Sequence, residues 1–377
     1  MRCIRLRGVH KIINALIVTT WSSKIHNADT YLLHLLNKGL KSLNVNSNIL
    51  YVGDYLFRTP KIFQLFNTPL FLKEFNKYDI IIGWGLDGSY IFTLSKYLLN
   101  TNTICRVVGI LYEEACLNKE IQPDSQLKNS LIKYESLIMQ KLGSIMSDYY
   151  ITCSENLRKF CIKTGINEKN VIVIRNSVDT RLFRPLPQLT ENKSKIFTVL
   201  YAGGFQEWQG INNLIEASVL LKNHDIKFKI IGFNKNQIEL KNHIKNKLEN
   251  KVELIDRLSR KELVMQINKS EVCIIPRSSN IVTEVAFPTK FAEYLSVGKP
   301  VITTNVGEIS LFVKKYNCGY VCKPDPISIA DTIMKAKNDY NNSLEIKSSN
   351  SRKLALNEFD NLVITKKFID FMNDVLY

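Results

Sequence analysis

The residues best placed to do chemistry stand in two clusters in the second half of the chain. The run Ile275-Pro-Arg-Ser-Ser-Asn-Ile-Val-Thr-Glu-Val-Ala-Phe-Pro-Thr-Lys-Phe-Ala-Glu-Tyr-Leu295 leaves an apolar strand, crosses a polar loop and enters a short helix near Pro288-Thr289. Pro and Thr both favour a helix start. Lys290 in that first turn opposes the positive end of the helix dipole, so it asks for an anion beside it. One turn on, Glu293 lies among Phe291, Ala292, Tyr294 and Leu295. A carboxylate in apolar surroundings needs a partner, and a pair of sugar hydroxyls is one such partner. A solvent-facing glutamate on an amphipathic helix is the plainer alternative.

The second cluster is Tyr201-Ala-Gly-Gly-Phe-Gln-Glu-Trp-Gln-Gly-Ile-Asn-Asn-Leu-Ile-Glu-Ala217, in which an apolar strand ends at Gly203-Gly204 and Gly210 opens a helix bearing Leu214 and Ile215 on one face. Glycine lets a backbone approach a ligand closely, and the N–H groups of a helix start attract phosphate. A plain βα turn, with Trp208 covering the core, has the same pattern.

Elements able to position these clusters are read from periodicity. Short β-branched runs alternate with helical stripes along the chain, the pattern of parallel βαβ units. Strands are expected at Ile12 to Thr19, Ile49 to Val52, Ile80 to Gly83, Thr103 to Val108, Tyr149 to Cys153 and Val171 to Ile174. After a turn-rich break at Pro185 to Lys195 they resume at Phe197 to Ala202, Phe228 to Gly232, Val252 to Ile255, Val272 to Ile275 and Pro300 to Thr303. Leu32, Leu33, Leu36, Leu40 and Leu43 form a helical stripe. Ser154 reads as an N-cap, Ser259 and Glu262 have capping-box spacing, and Leu362 to Leu376 reads as a last helix. Two doubly wound α/β domains would face each other across a cleft, with ligands at the carboxyl ends of their strands. The boundaries expected are residues 1–187, then 188–355, with 356–377 a helix packing back on the first domain.

Composition agrees with this scheme. A chain of 377 residues exceeds one ordinary core, and at roughly 150 residues per domain it points to two. With 45% hydrophobic and 23% charged residues it can bury sizeable cores, which excludes a disordered or fibrous chain. Eight cysteines lack paired spacing and mostly sit in apolar runs, as buried thiols of a reducing cytosol do. Cys318 and Cys322 have no second Cys/His pair nearby, so no metal is expected. Arg2, Arg5 and Arg7 precede the apolar Ile12 to Thr20, a stretch far short of the roughly 20 residues of a membrane span. A net charge of +16 draws anions: phosphorylated substrates, nucleic acid or anionic membrane. The absence of an arginine-rich arm, zinc-finger spacing or an aromatic-basic pattern argues against nucleic acid.

The two clusters, together with Asn176-Ser177-Val178-Asp179, Phe183-Arg184-Pro185 and Thr304 to Pro324 with Gly307 and Gly319, resemble the retaining GT-B glycosyltransferases of family 4. The likeness runs from about residue 170 to 340 and is carried mostly by element order before that. It implies two Rossmann-like domains, a nucleoside diphosphate sugar as donor, and transfer with retention to a hydroxyl acceptor without metal or other cofactor. Glu293 falls on the family's ribose-binding glutamate, Gly203 and Gly204 on its phosphate-side loop, and Thr289 and Lys290 beside the donor's phosphate and sugar. Arg277, Gln209 and Glu284 complete the expected donor side, with Lys290 stabilising the leaving diphosphate.

The sequence departs from the family in three places. Gly204 stands for a phosphate-binding arginine, Gln209 for a lysine and Val285 for the first of two paired glutamates, with Glu284 one residue off. His26, Arg106 and Glu113 are the expected acceptor-side residues of the first domain. The acceptor would be a glycan or glycolipid of the cell envelope, approached from the cytoplasmic side with peripheral contact to anionic membrane. A non-catalytic partner subunit of the same fold and a nucleotide-sugar 2-epimerase are the alternatives.

Overall fold

The computed structural model describes residues 12–24, 28–55, 71–86, 101–117, 126–186, 196–234, 237–339 and 343–377. Among them lie two six-stranded, all-parallel sheets. The first holds β1 (Asn14–Thr19), β2 (Asn46–Tyr51), β3 (Ile80–Trp84), β4 (Asn102–Val107), β5 (Tyr149–Thr152) and β6 (Val171–Val173), in the order β2-β1-β3-β4-β5-β6. The second holds β7 (Phe197–Ala202), β8 (Ile226–Phe233), β9 (Val252–Asp256), β10 (Val272–Ile275), β11 (Val301–Thr304) and β12 (Gly319–Cys322), in the order β12-β11-β10-β7-β8-β9. Every residue of β3, β7, β10 and β11 is buried. That burial is why their sequences are apolar runs without alternation, as in strands covered on both faces.

Eleven strands fall on or within a few residues of the expected runs; β12 was not expected. It is a four-residue edge strand, Gly-Tyr-Val-Cys, that begins at a glycine and holds a single β-branched residue, so it lacks the β-branched run that marks the others. A side chain at Gly319 would collide with the Val301 backbone beside it.

In each sheet the strand order reverses once, between β1 and β3 in the first and between β7 and β10 in the second. Crevices for ligands open at such reversals, outside the carboxyl ends of the strands. One hydrophobic cluster joins the two lobes, running from Leu86, Cys105 and Val107 of the first through Phe287 and Phe291 to Val301 of the second. Polar contacts reinforce it. Ser154 Oγ donates to the Val285 carbonyl, Asn156 Nδ2 to the Glu284 carbonyl at 2.9 Å and Asn176 Nδ2 to the Phe287 carbonyl at 2.8 Å, while Arg175 pairs with Glu308 at 3.2 Å.

The last helix, Asn361–Leu376, lies on the first lobe. Its Ile364, Phe368 and Met372 share a cluster with Leu32, Leu33, Leu36 and Leu40 of the Ala28–Ser42 helix. Asn361 Nδ2 donates to the Leu35 carbonyl at 3.1 Å, and Gly39 is bare because the Thr365 side chain occupies the space a methyl would need. Among the described residues no helix is long and apolar enough to cross a membrane.

Candidate functional site

At the reversal of the second sheet, β7 and β10 lie side by side, so the loop after each opens onto the same crevice. This pairing brings the two sequence clusters together. Gly210 fixes the contact: it has φ 74°, and a side chain there would run into the Pro276 carbonyl. Only glycine meets both demands at low cost. From the other side Tyr294 Oη accepts from Ala202 N at 2.8 Å and donates to the Ala202 carbonyl at 3.2 Å. The Thr289–Ser296 helix is thereby clamped to the end of β7.

Two cations meet in this crevice. Lys290 Nζ sits 4.5 Å from the Tyr201 ring centroid and donates to Gln209 Oε1 at 3.3 Å. It fills the space beside Gly203, where a methyl group would strike it. Arg277 is 7% exposed, and its buried Nε and Nη1 have no hydrogen-bond partner. Burial, and then the charge of Arg277, push Lys290 down to about 7; burial pushes Arg277 down to about 10. No carboxylate forms an ion pair with either among the described residues. Two desolvated cations with donors to spare make a site for an anion. Gly204 and Gln209 stand where the family 4 resemblance implies an arginine and a lysine, and the fold brings Arg277 and Lys290 to the same strand ends.

Glu293 is buried, 8% exposed, which removes the solvent-facing reading. Its Oε1 is bound by Arg260, the first residue of the Arg260–Asn268 helix that Ser259 and Glu262 cap as a capping box. The Arg260 guanidinium carbon lies over the Tyr31 ring of the first lobe, 3.6 Å from its centroid. The buried Tyr31 hydroxyl has no hydrogen-bond partner, and burial pushes it up to about 12. Neither Tyr31 nor Arg260 was singled out in the sequence. The capping box marks Arg260 as a helix start after β9, a signal for its position; nothing local marks Tyr31, whose neighbour comes from the other lobe.

The remaining donor-side candidates divide. Thr289 opens its helix half-buried, behind a Pro288 that gives no side-chain cap. Gly204 offers its carbonyl to the Tyr201 hydroxyl. Glu284 is committed to the protein: one oxygen accepts from Ser279 Oγ at 3.0 Å and the other from Gly307 N at 2.9 Å, so it ties down the neighbouring loop.

On the first lobe, His26 lies outside the described residues. Glu113 accepts from Gln140 Nε2 at 3.0 Å and stays half-buried. Arg106 does not face an open acceptor surface. It belongs to β4, is 4% exposed, and donates to the carbonyls of Thr152 and Ile174 and to Asn176 Oδ1. The register of a buried central strand turns it inward, where it braces the crossing to the second lobe. Trp208 packs partly buried against the main core. Among the described residues no group of three or more His, Cys, Asp or Glu could hold a metal ion.

Comparison with known proteins finds likenesses in sequence and in fold. Residues 186–353 match the family described as Glycosyl transferases group 1. The chain is 28% identical over 319 residues to an uncharacterised glycosyltransferase of Methanocaldococcus jannaschii, covering 81% of this chain and 84% of that one. A second uncharacterised glycosyltransferase of that organism is 21% identical over 229 residues, and the match spans 55% of its length. Among solved structures, sucrose-phosphate synthase from Thermosynechococcus elongatus superposes with a TM-score of 0.78 at 15% identity, covering 97% of this chain and 99% of the other. Anabaena HepE in complex with UDP-glucose gives 0.73 at 15% identity, covering 96% and 100%.

Proposed function

For a chain that is a glycosyltransferase of GT-B fold, with its glycosyl transferases group 1 domain at residues 186–353, we propose transfer of a sugar from a nucleoside diphosphate sugar to a hydroxyl acceptor, with retention at the anomeric carbon. The observation that carries this reading is the Arg277–Lys290 pair, two cations at the β7 and β10 strand ends, of which Arg277 is buried with its Nε and Nη1 left unsatisfied. The diphosphate of the donor would supply the missing negative charge and acceptors. As the bond to the sugar breaks, charge grows on that leaving group. Donors already in place and shielded from water stabilise it more in the transition state than in the ground state.

Glu293 would take the ribose hydroxyls, and Gly203, Gly204, Gln209 and Thr289 would line the phosphate side. That HepE, of like fold, holds UDP-glucose supports a nucleotide sugar as donor. With Arg277 and Lys290 supplying the positive charge, the reading needs no metal. The acceptor would be a cell-envelope glycan or glycolipid reached at an anionic membrane surface, a reading supported by the net charge of +16.

The test is turnover of a panel of UDP-, ADP- and GDP-sugars by the full chain, with and without envelope glycolipids, and the anomeric configuration of the product read by NMR. Transfer or slow hydrolysis is expected, with retention. Binding without turnover of any donor would favour the partner-subunit reading.

A further inference from the structure

One oxygen of the carboxylate that would receive the donor's ribose is already taken, by a residue that also meets the opposite lobe. Arg260 binds Glu293 while its guanidinium stacks on Tyr31 of the Ala28–Ser42 helix. Arg260 keeps 28% of its side chain exposed and Glu293 only 10%, so the cation sits at the mouth of the crevice and the carboxylate beneath it. The stack needs the Tyr31 ring alone, since the Tyr31 hydroxyl makes no hydrogen bond.

We propose that Tyr31 is a positioning residue that sets donor affinity by holding Arg260 on Glu293, a latch between the lobes that the donor's ribose must displace. The inference rests on the donor reading of Glu293 given above. Arg260 holds Oε1 of Glu293, so a ribose diol that engages both carboxylate oxygens must displace it from that one, and both interactions are charge-assisted. The latch lowers apparent affinity by the fraction of molecules in which it is closed. Entry of the donor releases Arg260 from Glu293 and with it a contact between the lobes, so occupancy of the donor site and the seating of the first lobe are one equilibrium. Coupling of this kind is reciprocal: loosening the Tyr31 contact strengthens donor binding.

The experiment is calorimetric titration of the full-length wild type and of Tyr31→Leu, Tyr31→Phe, Arg260→Gln and Glu293→Ala with UDP, ADP and GDP, each variant first shown to melt cooperatively. Removing the aromatic face forfeits the cation–π attraction. Tyr31→Leu and Arg260→Gln are expected to bind the preferred nucleotide about 3- to 30-fold more tightly than wild type. Tyr31→Phe keeps the face and should bind as wild type does, a rescue that a purely structural role of the hydroxyl would not show. Glu293→Ala should bind more weakly. Equal or weaker binding by both Tyr31→Leu and Arg260→Gln, with normal binding by wild type, would overturn the latch and leave the donor site standing. Failure of the wild type to bind any of the three nucleotides would remove the donor reading and the latch together.

Discussion

In the proposed reading Lys290 and Arg277 are the residues on which the chemistry turns, and each can be removed alone. Replacing either with Met deletes one charge-assisted partner of the diphosphate, worth about 1.5 to 3 kcal/mol. Nucleoside diphosphate affinity should fall roughly ten- to 150-fold in a titration, and the double variant should lose binding altogether. The lowered Lys290 value adds a pH signature. The free protein holds its amine half-protonated near pH 7, and an anion beside it favours the charged form, raising that value in the complex. Affinity is therefore full below about pH 7 and declines as pH rises toward the higher value of the complex, with net proton uptake on binding between them. A nucleotide sugar is the suitable probe because its pyrophosphate keeps its charge from pH 6 to 9. Calorimetry in buffers of differing ionisation enthalpy would measure the uptake, and Lys290→Met should abolish it. The same depression means that the unfolded chain binds this proton more readily than the folded one, so between about pH 7 and the ordinary lysine range this group makes stability rise with pH.

At the scale of elements, the join between the two clusters depends on one glycine. Gly210→Ala would place a side chain on a left-handed residue and into the Pro276 carbonyl, and it should destabilise the fold by at least about 2 kcal/mol in denaturant titration. Much of this framework was legible in the sequence. The runs Phe197 to Ala202 and Val272 to Ile275 are strands with those same ends. Ser154 caps its helix through Leu157 N, and the Ser259–Glu262 box is formed in both directions. Such signals are local: a period, a cap, a turn former. What stayed hidden is what only the fold brings together. Nothing near residue 31 in sequence announces residue 260, and nothing in Thr103 to Val108 says that Arg106 points into the protein to hold carbonyls of β5 and the chain beyond β6. Glu284 looked like a displaced member of a glutamate pair because spacing is visible, whereas the Gly307 N–H that claims it is not.

Across the whole molecule the two lobes share one apolar cluster and several polar bridges, so substitutions in either should be felt by both. Phe368→Ala, in the last helix at 1% exposure, should cost about 3 to 5 kcal/mol, read as a drop in the melting temperature of the entire chain and not of one lobe alone. If protein cations balance the diphosphate as proposed, turnover should also persist in the presence of a strong chelator; an absolute requirement for added magnesium or manganese would count against this reading. The path of the last helix bears on how the protein is made. Asn361 and the Leu35 carbonyl it binds are 326 positions apart, and translation proceeds from the amino end. The first lobe to leave the ribosome must therefore wait, the part of its leucine stripe that meets Ile364, Phe368 and Met372 still open, while the second lobe is synthesised. The lobe that begins first is the one that finishes last, and during that interval the apolar surface its last helix will cover stays exposed on the nascent chain.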